Sequence, residues 1–471
     1  MGLPVGRAKL RAIIVVLSSA LLVLIGDPLS SATGSATTAA VAGAAALASP
    51  TLAASPYATV AAVSKRLSPG VRDDRGTGPA PGPGDISGIK EGTFTVLCYH
   101  QFGEQPENGD PKKNRRSLYK ISRSEFEWQM QYLKDHGIIP ISLTRVKNFI
   151  EKGTPIPERA VLITFDDGFR SIYTDAYPIL RKYKYPAVLF AYTDFLEGQS
   201  ASLRWDEIRE MLKNGFELGG HGQKHLNLAK ESLRQTPADF RLMAIRELHD
   251  SAKSLEARLG VRPDALAYPY GVYTKGAMEE ARRVGYRLAF SINPGSNDRT
   301  IHPMLLRRHL ITYFTRRDLF AKIFESKVLH LEQLQPADGG IVWVGKPVIS
   351  AVFRDDVDPK SVSLQIGQRP LPCKYDATTR RLTKPMLFAL KRGGHQVTLT
   401  ARERSGIQRV YSWYFRVERK SGREDDASED LIPGDPGMKS GQDRKKTGKK
   451  AKKPPLRRDA SPVPSGGAKG R

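Results

Sequence analysis

Cysteine is scarce in this chain, since Cys98 and Cys373 are the only two among 471 residues. They fall in segments of different sequence pattern, which predict separate domains, so we expect no disulfide between them. Stability must therefore come from a buried core rather than from cross-links. The length allows two folded domains with unstructured ends, and a single domain of this size is not expected.

The chain has no N-terminal apolar run of full membrane-spanning length. The run Ala12–Ile25 is shorter than the roughly 20 apolar residues that a membrane helix needs. It follows Arg7, Lys9 and Arg11, and a basic segment before a short apolar run is typical of an export signal. We predict that residues 1–32 are a signal peptide and that the protein is periplasmic, extracellular or bound at the cell surface. A membrane anchor is the alternative if the segment is retained, and no cysteine follows it to carry a lipid.

Acidic residues do not balance the basic ones, and the formal net charge is +25. Much of the excess lies between Gly437 and Arg471, where twelve Lys or Arg side chains accompany two Asp. This tail has no aromatic side chains to stack on bases, and an exported protein meets little nucleic acid, so no nucleic-acid partner is expected. We predict that residues 420–471 are disordered and attract anionic cell-surface polymers.

Residues 33–90 are rich in Ala, Ser, Thr, Pro and Gly and have few large apolar side chains, which predicts a disordered linker. Residues 336–419 show short alternating strands separated by Gly, Pro and Asp turns, with no helical period. This pattern predicts a small all-β sandwich. Its last predicted strands, His395–Ala401 and Tyr411–Val417, resemble those of bacterial immunoglobulin-like modules.

Between residues 91 and 330, β-rich runs alternate with amphipathic stretches, the pattern of parallel strands joined by helices. Ser122–Asp135 and Pro237–Leu259 carry apolar side chains at helical spacing. The sequence therefore predicts the α/β class and a distorted (β/α) barrel that is closed or nearly closed. The predicted strands are Phe94–Tyr99, Ile138–Ser142, Ala160–Phe165, Ala187–Ala191, Phe216–Gly219, Ala265–Tyr268, Arg287–Ser291 and Leu305–Arg308.

Two adjacent carboxylates end one of these strands in Thr164-Phe-Asp-Asp-Gly168. In a parallel barrel the strand ends and the loops after them form the active face. Neighbouring side chains on a strand point in different directions, so one carboxylate can bind a metal while the other takes a proton. An isolated Asp-Asp-Gly is more often a simple turn, and the interpretation depends on what the other strands end in.

A second strand end delivers His221 and His225, four residues apart. One helical turn would bring such a pair onto a common face, where both imidazoles reach one divalent ion. With Asp167 they supply two nitrogens and one oxygen, the ligand set of a catalytic zinc site that leaves one position open. Cobalt or nickel would fit the same donors.

Two further strand ends carry candidate site residues. Ala267-Tyr-Pro-Tyr-Gly271 combines proline and glycine, which force an irregular backbone that can turn an N–H towards the site. Leu97-Cys-Tyr-His100 ends the first strand with a histidine at the expected barrel mouth. Taken alone, the first is more often a buried turn and the second a structural histidine.

Together these segments resemble the polysaccharide deacetylase family, carbohydrate esterase family 4, over about Thr93–Phe324. The resemblance implies that the residue matching Asp166 is the catalytic base. It also implies that Asp167, His221 and His225 bind the metal.

The resemblance extends to the substrate groove, where Pro269, Tyr270 and Gly271 match the family's groove motif. In that motif the residue matching Tyr270 offers its backbone N–H to the oxyanion. The pair Tyr-His ending at His100 is similar to the subgroup of biofilm poly-N-acetylglucosamine deacetylases, whose general-acid histidine comes from the first strand.

The chain departs from the family pattern at two places. Many members have an arginine that orients the base just before the groove motif, whereas Ala267 and Tyr268 stand there in this chain. The usual late Asp-Trp segment is also missing, and a late strand instead presents His309. His309 therefore competes with His100 for the role of general acid, and we favour His100.

These residues predict a metal-dependent hydrolase that removes N-acetyl groups from an amino-sugar polymer. The same chemistry would cleave the esters of O-acetylated polysaccharides, which is the alternative within the enzyme class. A barrel that only binds polysaccharide is a further alternative, but the presence of both carboxylates and both histidines disfavours it.

Overall fold

The computed structural model describes residues 92–104, 118–196, 200–343 and 345–418. The predicted signal peptide, linker and basic tail lie outside these residues. Among the helices in the described ranges, none combines the length and the hydropathy required to cross a bilayer.

The first part of the chain alternates strands and helices, as its sequence pattern predicts. Its strands are β1 Phe94–Tyr99, β2 Gln101–Phe102, β3 Lys120–Ile121, β4 Ile139–Pro140, β5 Ala160–Asp167, β6 Ala187–Ala191, β7 Phe216–Gly220, β8 Ala265–Ala267, β9 Leu288–Phe290 and β10 His309–Leu310. Its α-helices are Arg123–Asp135, Leu143–Lys152, Tyr177–Tyr183, Thr193–Leu196, Trp205–Lys213, Leu228–Arg234, Pro237–Ile245, Ser251–Leu259, Lys275–Val284 and Arg317–Lys322.

Eight of these strands form one parallel sheet in the order β10, β1, β5, β6, β7, β8, β9, with β4 added at the start of β5, and β2 pairs separately with β3. Leu306 makes a parallel bridge to Phe290 of β9. A few residues later, β10 pairs with β1 through Leu97–His309 and Cys98–Leu310. The segment 306–310 thus links the two edges of the sheet, and the strands curl into the predicted barrel.

Helix starts follow the capping signals in the sequence. Ser122 accepts a hydrogen bond from the Glu125 N–H at 3.1 Å and begins the helix Arg123–Asp135. That helix buries Phe126, Met130 and Leu133 against the sheet. The stretch predicted as one helix over Pro237–Leu259 is helical throughout, but a π-helical turn at Arg246–Asp250 divides it. This turn contributes to the site described below.

The last barrel strand lies later than the predicted Leu305–Arg308. Pro303 begins a 3-10 turn that ends at Leu305, and proline at the first position favours such a turn over a strand. Pairing with β1 therefore starts only at His309. This shift places the side chain of Arg308 inside the barrel, where it is fully buried.

The second part of the chain is all-β and has its own core around Trp413 and Phe415. Its strands form a sheet of β11, β20, β19, β15 and β16, with β13 beside β20, and a sheet of β12, β14, β18 and β17. The strands before residue 336 already belong to it. Bounds are β11 Ser326–Val328, β12 Leu331–Gln335, β13 Gly340–Val342, β14 Val348–Phe353, β15 Ser363–Ile366, β16 Arg369–Leu371, β17 Lys374–Asp376, β18 Arg381–Pro385, β19 Gly393–Arg402 and β20 Gln408–Val417.

This arrangement is consistent with the predicted all-β module, and its immunoglobulin-like character stays a prediction. Cys98 lies in the barrel and Cys373 in the all-β part, and both are free thiols. The stability of both parts therefore depends on their buried cores, as the scarcity of cysteine indicates.

A charged bridge joins the barrel to the all-β part. His330 lies between two carboxylates, with Nε2 2.8 Å from Oδ2 of Asp298 and Nδ1 2.9 Å from Oδ1 of Asp355. Asp298 belongs to the barrel, whereas Asp355 follows a strand of the all-β sheet. Hydrogen bonds from His330 to Asp298 and Asp355 raise its pKa to about 9. The imidazolium therefore links the two parts at neutral pH.

We expect His330→Gln to destabilise the protein by about 2–3 kcal/mol at pH 6, an amount that follows from the raised pKa. A group with a raised pKa in the folded state stabilises fully below its unfolded pKa. The difference between the wild type and the variant should therefore shrink as the pH rises through 9. Denaturant unfolding between pH 6 and 10 measures it. A difference that does not change with pH would mean that His330 acts through packing alone.

Candidate active site

Asp166 is the second-last residue of β5, and its carboxylate points into the barrel. The side chain is 2% exposed. Arg308 donates two hydrogen bonds to it, from Nη1 to Oδ1 at 2.6 Å and from Nη2 to Oδ2 at 2.7 Å. Such a paired contact is strong and directional. Burial raises the pKa of Asp166, but the Arg308 charge and then His221 offset this, so the pKa lies below its usual value. The carboxylate is therefore ionised at neutral pH.

Asp167, the next residue, leaves the strand in a left-handed conformation with φ of 70°. This region is unfavourable for a residue other than glycine and is found at functional sites more often than elsewhere. Gly168 follows with φ of 103°, and a Cβ there would lie only 2.9 Å from Leu196. The backbone turn sends the carboxylate of Asp167 away from Asp166 and towards the loop after β7.

His221 and His225 meet the carboxylate of Asp167 at this point. The two Nε2 atoms lie 3.1 Å apart, and each is 3.5 Å from Oδ1 of Asp167. Nδ1 of His221 lies 2.7 Å from the Ala267 carbonyl oxygen. That hydrogen bond requires a proton on Nδ1, which leaves Nε2 free as a ligand atom.

The reason predicted for this convergence is wrong, because the two histidines do not lie on one helical turn. Residues 221–227 form an irregular loop. Gly222 and His225 are left-handed, with φ of 82° and 60°. These two conformations fold the loop back so that both imidazoles face Asp167.

The three donor atoms fit a divalent ion. Atoms bound at about 2.0–2.1 Å to a tetrahedral zinc ion lie roughly 3.3 Å from one another, and the separations here are 3.1 and 3.5 Å. Asp167, His221 and His225 form a three-residue group with metal-ligand geometry. Burial and then the His221 charge lower the pKa of His225 to about 3. A neutral imidazole is the form that binds metal.

Glu247 holds the histidine loop in place. Its side chain is 3% exposed, and Oε1 accepts hydrogen bonds from the N–H groups of Lys224 at 2.9 Å and Leu226 at 3.2 Å. A Cβ at Gly222 would collide with the same carboxylate oxygen, so only glycine fits there. Ser251 donates to the Gly222 carbonyl at 2.8 Å. Both anchoring side chains come from the π-helical turn and the helix after it.

The segment predicted to line the groove forms a 3-10 turn over Pro269–Gly271. Tyr270 has φ of 60°, and its ring centroid lies 4.5 Å from that of His225. Gly271 packs against Ile292 so closely that a Cβ would overlap it. The turn thus places the Tyr270 backbone and ring beside the metal-ligand group.

The two candidate acids lie in different surroundings. His100 forms a group with Cys98 and Asp166 whose polar atoms lie within 4.8 Å of one another. Its Nδ1 is buried without a hydrogen-bond partner. His309 instead accepts a hydrogen bond from the Gly295 N–H through Nε2 at 3.2 Å.

The groups that shift the pKa values of His100 and His309 also differ. Burial lowers the pKa of His100, while Asp167 and Asp166 oppose that effect. The pKa of His309 falls to about 4, with burial as its cause. His100 therefore lies in the field of both site carboxylates, and His309 does not.

The sequence analysis did not identify Arg308. This residue makes the arginine–carboxylate contact that the family pattern places just before the groove motif, where this chain has Ala267 and Tyr268. The residue lies 142 positions after Asp166, and the shifted last strand brings it into the barrel. Its position beside His309 in Arg307-Arg-His309 gave a usable signal. Cys98 was also missed, and its thiol lies 3.5 Å from Oδ2 of Asp166. The Asp166 carboxylate is thus held from two sides.

Known proteins are similar to this chain in sequence. The family model for polysaccharide deacetylases matches residues 153–289. The poly-beta-1,6-N-acetyl-D-glucosamine N-deacetylase of Staphylococcus aureus strain MRSA252 is 30% identical over 209 residues, which are 42% of this chain and 72% of that relative.

Solved structures resemble the chain over about half its length. The deacetylase PplD of Streptococcus pyogenes is 25% identical, with a TM-score of 0.45 over 50% of this chain and 99% of that one. IcaB from Ammonifex degensii is 26% identical, with a TM-score of 0.43 over 49% of this chain and 97% of that one. On the identity and coverage of the staphylococcal relative, the chain belongs to the polysaccharide deacetylase family.

Proposed function

We propose that this protein is an exported, metal-dependent deacetylase that removes N-acetyl groups from an N-acetylglucosamine polymer of the biofilm or cell-wall type. One observation carries the proposal. Two adjacent carboxylates have different partners. Asp166 forms an ion pair with Arg308, whereas Asp167 lies beside the imidazoles of His221 and His225. The staphylococcal relative is named for the same reaction on poly-beta-1,6-N-acetyl-D-glucosamine.

Asp167, His221 and His225 would hold the ion, and we propose zinc because two imidazoles and one carboxylate suit it. When bound, the ion supplies a Lewis acid that polarises the acetyl carbonyl and acidifies water. Asp166 accepts the proton of the attacking water, since its ionised carboxylate lies next to the ligand group. Arg308 orients that carboxylate and keeps it ionised.

Two further groups act on the acetamide. The Tyr270 N–H stabilises the negative charge that develops on the carbonyl oxygen, as a backbone donor placed before the reaction begins. His100 gives a proton to the departing amine, which is a very poor leaving group without it. The nucleophile is water, so no acyl-enzyme forms.

Acetate release tests the proposal. We expect the purified protein to release acetate from poly-β-1,6-N-acetylglucosamine, to lose activity with a chelator and to regain it with Zn²⁺. Chitin oligomers, peptidoglycan and an O-acetylated polysaccharide complete the substrate panel. Release from the O-acetylated polymer alone would contradict the proposal and favour an esterase. No release from any polymer would favour a binding protein.

Metal content tests the ligand assignment separately. We expect Asp167→Ala, His221→Ala and His225→Ala each to lower zinc occupancy, because each residue supplies one of the three donor atoms of the group. The wild type and His309→Ala serve as controls. Full occupancy in all three variants would overturn the assignment.

A further inference from the structure

Two large aromatic side chains are exposed side by side after the last barrel strand. Tyr313 is 47% exposed and Phe314 is 36% exposed. Their ring centroids lie 5.5 Å apart with an angle of 69° between the ring planes. Exposed apolar rings are unfavourable in water, and contiguous exposed apolar surface is a feature of binding sites.

The strand register places these rings next to His100. β10 pairs in parallel with β1, and Cys98 lies opposite Leu310. Beyond that pair the Ile311 N–H donates to the Cys98 carbonyl at 2.9 Å, so the chain still runs beside β1 one residue before Thr312. Tyr313 and Phe314 come directly after that point. They therefore lie at the same edge of the barrel as the proposed acid.

A second connection fixes this position. The Tyr313 N–H donates to the Leu118 carbonyl at 2.9 Å. The neighbouring ring of Tyr119 packs on the imidazole of His100, with centroids 5.1 Å apart. The exposed pair is thus tied to the segment that covers His100.

Hydrogen bonds between two threonines close the turn that carries the rings. Thr312 and Thr315 are buried, and the Thr312 N–H donates to Oγ1 of Thr315 at 3.0 Å. The Thr315 N–H donates back to the Thr312 carbonyl at 2.9 Å, and the Phe314 N–H donates to Oγ1 of Thr312 at 3.3 Å. Tyr313 and Phe314 lie between these two threonines, and the hydrogen bonds keep their rings pointing outward. The turn therefore need not become ordered when a ligand binds.

We propose that Tyr313 and Phe314 form a sugar-binding subsite that stacks on the residue of the polymer next to the one being deacetylated. The inference rests on the proposed function. A pyranose ring presents an apolar C–H face, and a repeating polymer that enters the site at His100 must continue across the rim. The exposed pair lies on that rim and offers the apolar surface that such a ring covers.

The experiment compares full-length Tyr313→Ala, Phe314→Ala and the double variant with the wild type. The substrates are a β-1,6-linked N-acetylglucosamine hexamer and a small activated acetyl ester that has no second sugar. We expect KM for the hexamer to rise about tenfold per ring removed, a loss of about 1.4 kcal/mol each. The ratio of the KM for the hexamer to the KM for the ester should rise by the same factor. The value of kcat on the hexamer should change much less than KM.

Two matched variants serve as controls. Tyr313→Phe keeps the ring and should keep the KM of the wild type. Trp343→Ala removes an aromatic side chain that is 49% exposed on the all-β part, far along the chain from His100, and should leave both KM values unchanged.

Three results would overturn the subsite. An unchanged KM ratio in the double variant would do so, provided that the wild type deacetylates the hexamer. An unchanged ratio with loss of binding to anionic lipid vesicles would assign the rings to a membrane surface. An unchanged ratio with a smaller assembly in solution would assign them to a second copy of the chain. If the wild type deacetylates another N-acetylated polymer of the panel instead, the same KM comparison is made with a hexamer of that polymer. A wild type that releases acetate from none of them contradicts the proposed function and, with it, the subsite.

Discussion

Asp166→Asn is expected to lower kcat on the N-acetylated polymer by about 10²–10⁴-fold, the usual contribution of a general base. The amide cannot accept the proton of the attacking water, although it has the shape of the carboxylate. Zinc content should stay at the wild-type level, because Asp166 contacts Arg308 and Cys98 and is not part of the ligand group. Acetate release and metal analysis on the same preparation measure both effects.

The neighbouring carboxylate provides the control. Asp167→Asn should lose zinc as well as activity, since its Oδ1 lies 3.5 Å from both imidazole Nε2 atoms. Equal zinc loss in Asp166→Asn and Asp167→Asn would show that both carboxylates are ligands. Near wild-type turnover in Asp166→Asn would mean that another group is the base.

His100→Ala is expected to reduce the hydrolysis of N-acetyl substrates by about 10²–10⁴-fold and to spare an activated acetyl ester. A phenolate leaves without a proton, whereas an amine does not. His100 lies with Asp166 in one group whose polar atoms are within 4.8 Å of one another, so its proton can reach the reacting centre. Parallel kcat measurements on the amide and on the ester give the selectivity.

His309→Ala is the matched variant for this experiment. His309 accepts a hydrogen bond from the Gly295 N–H, and its removal should not produce a defect confined to amides. If His309→Ala shows the selective amide defect and His100→Ala does not, the acid comes from the last strand. Equal losses on both substrates in His100→Ala would indicate that His100 supports the site rather than donating the proton.

Local sequence predicted the positions of the barrel strands well where each strand is a buried apolar run. β1 and β6 have the predicted bounds, and β5 and β7 extend the predicted strands by two residues and one residue. Such runs can be identified without knowing their neighbours, because they are apolar and end in polar residues. The short last strand was misplaced, since two residues of pairing carry almost no local pattern.

Local sequence patterns did not predict the contacts that distant residues make with the site. Arg308 and Glu247 act on Asp166 and on the histidine loop from distant parts of the chain. No spacing rule links a buried arginine to a carboxylate on another strand. The left-handed conformations of Asp167, His225 and Tyr270 could not be predicted from local sequence either. Their unfavourable backbone energy is offset by contacts that form only in the folded barrel.

The sequence by itself determined which chemical groups stand at the strand ends, and with them the family, the candidate metal ligands and the candidate base. This was possible because carboxyl ends of parallel strands meet at one edge, whatever the loops do. Only the tertiary structure decided that Arg308 holds Asp166, that a loop rather than a helix joins His221 to His225, and that His100 rather than His309 lies in the carboxylate field. These depend on register and on strained backbone, which are set by packing between segments far apart in the chain.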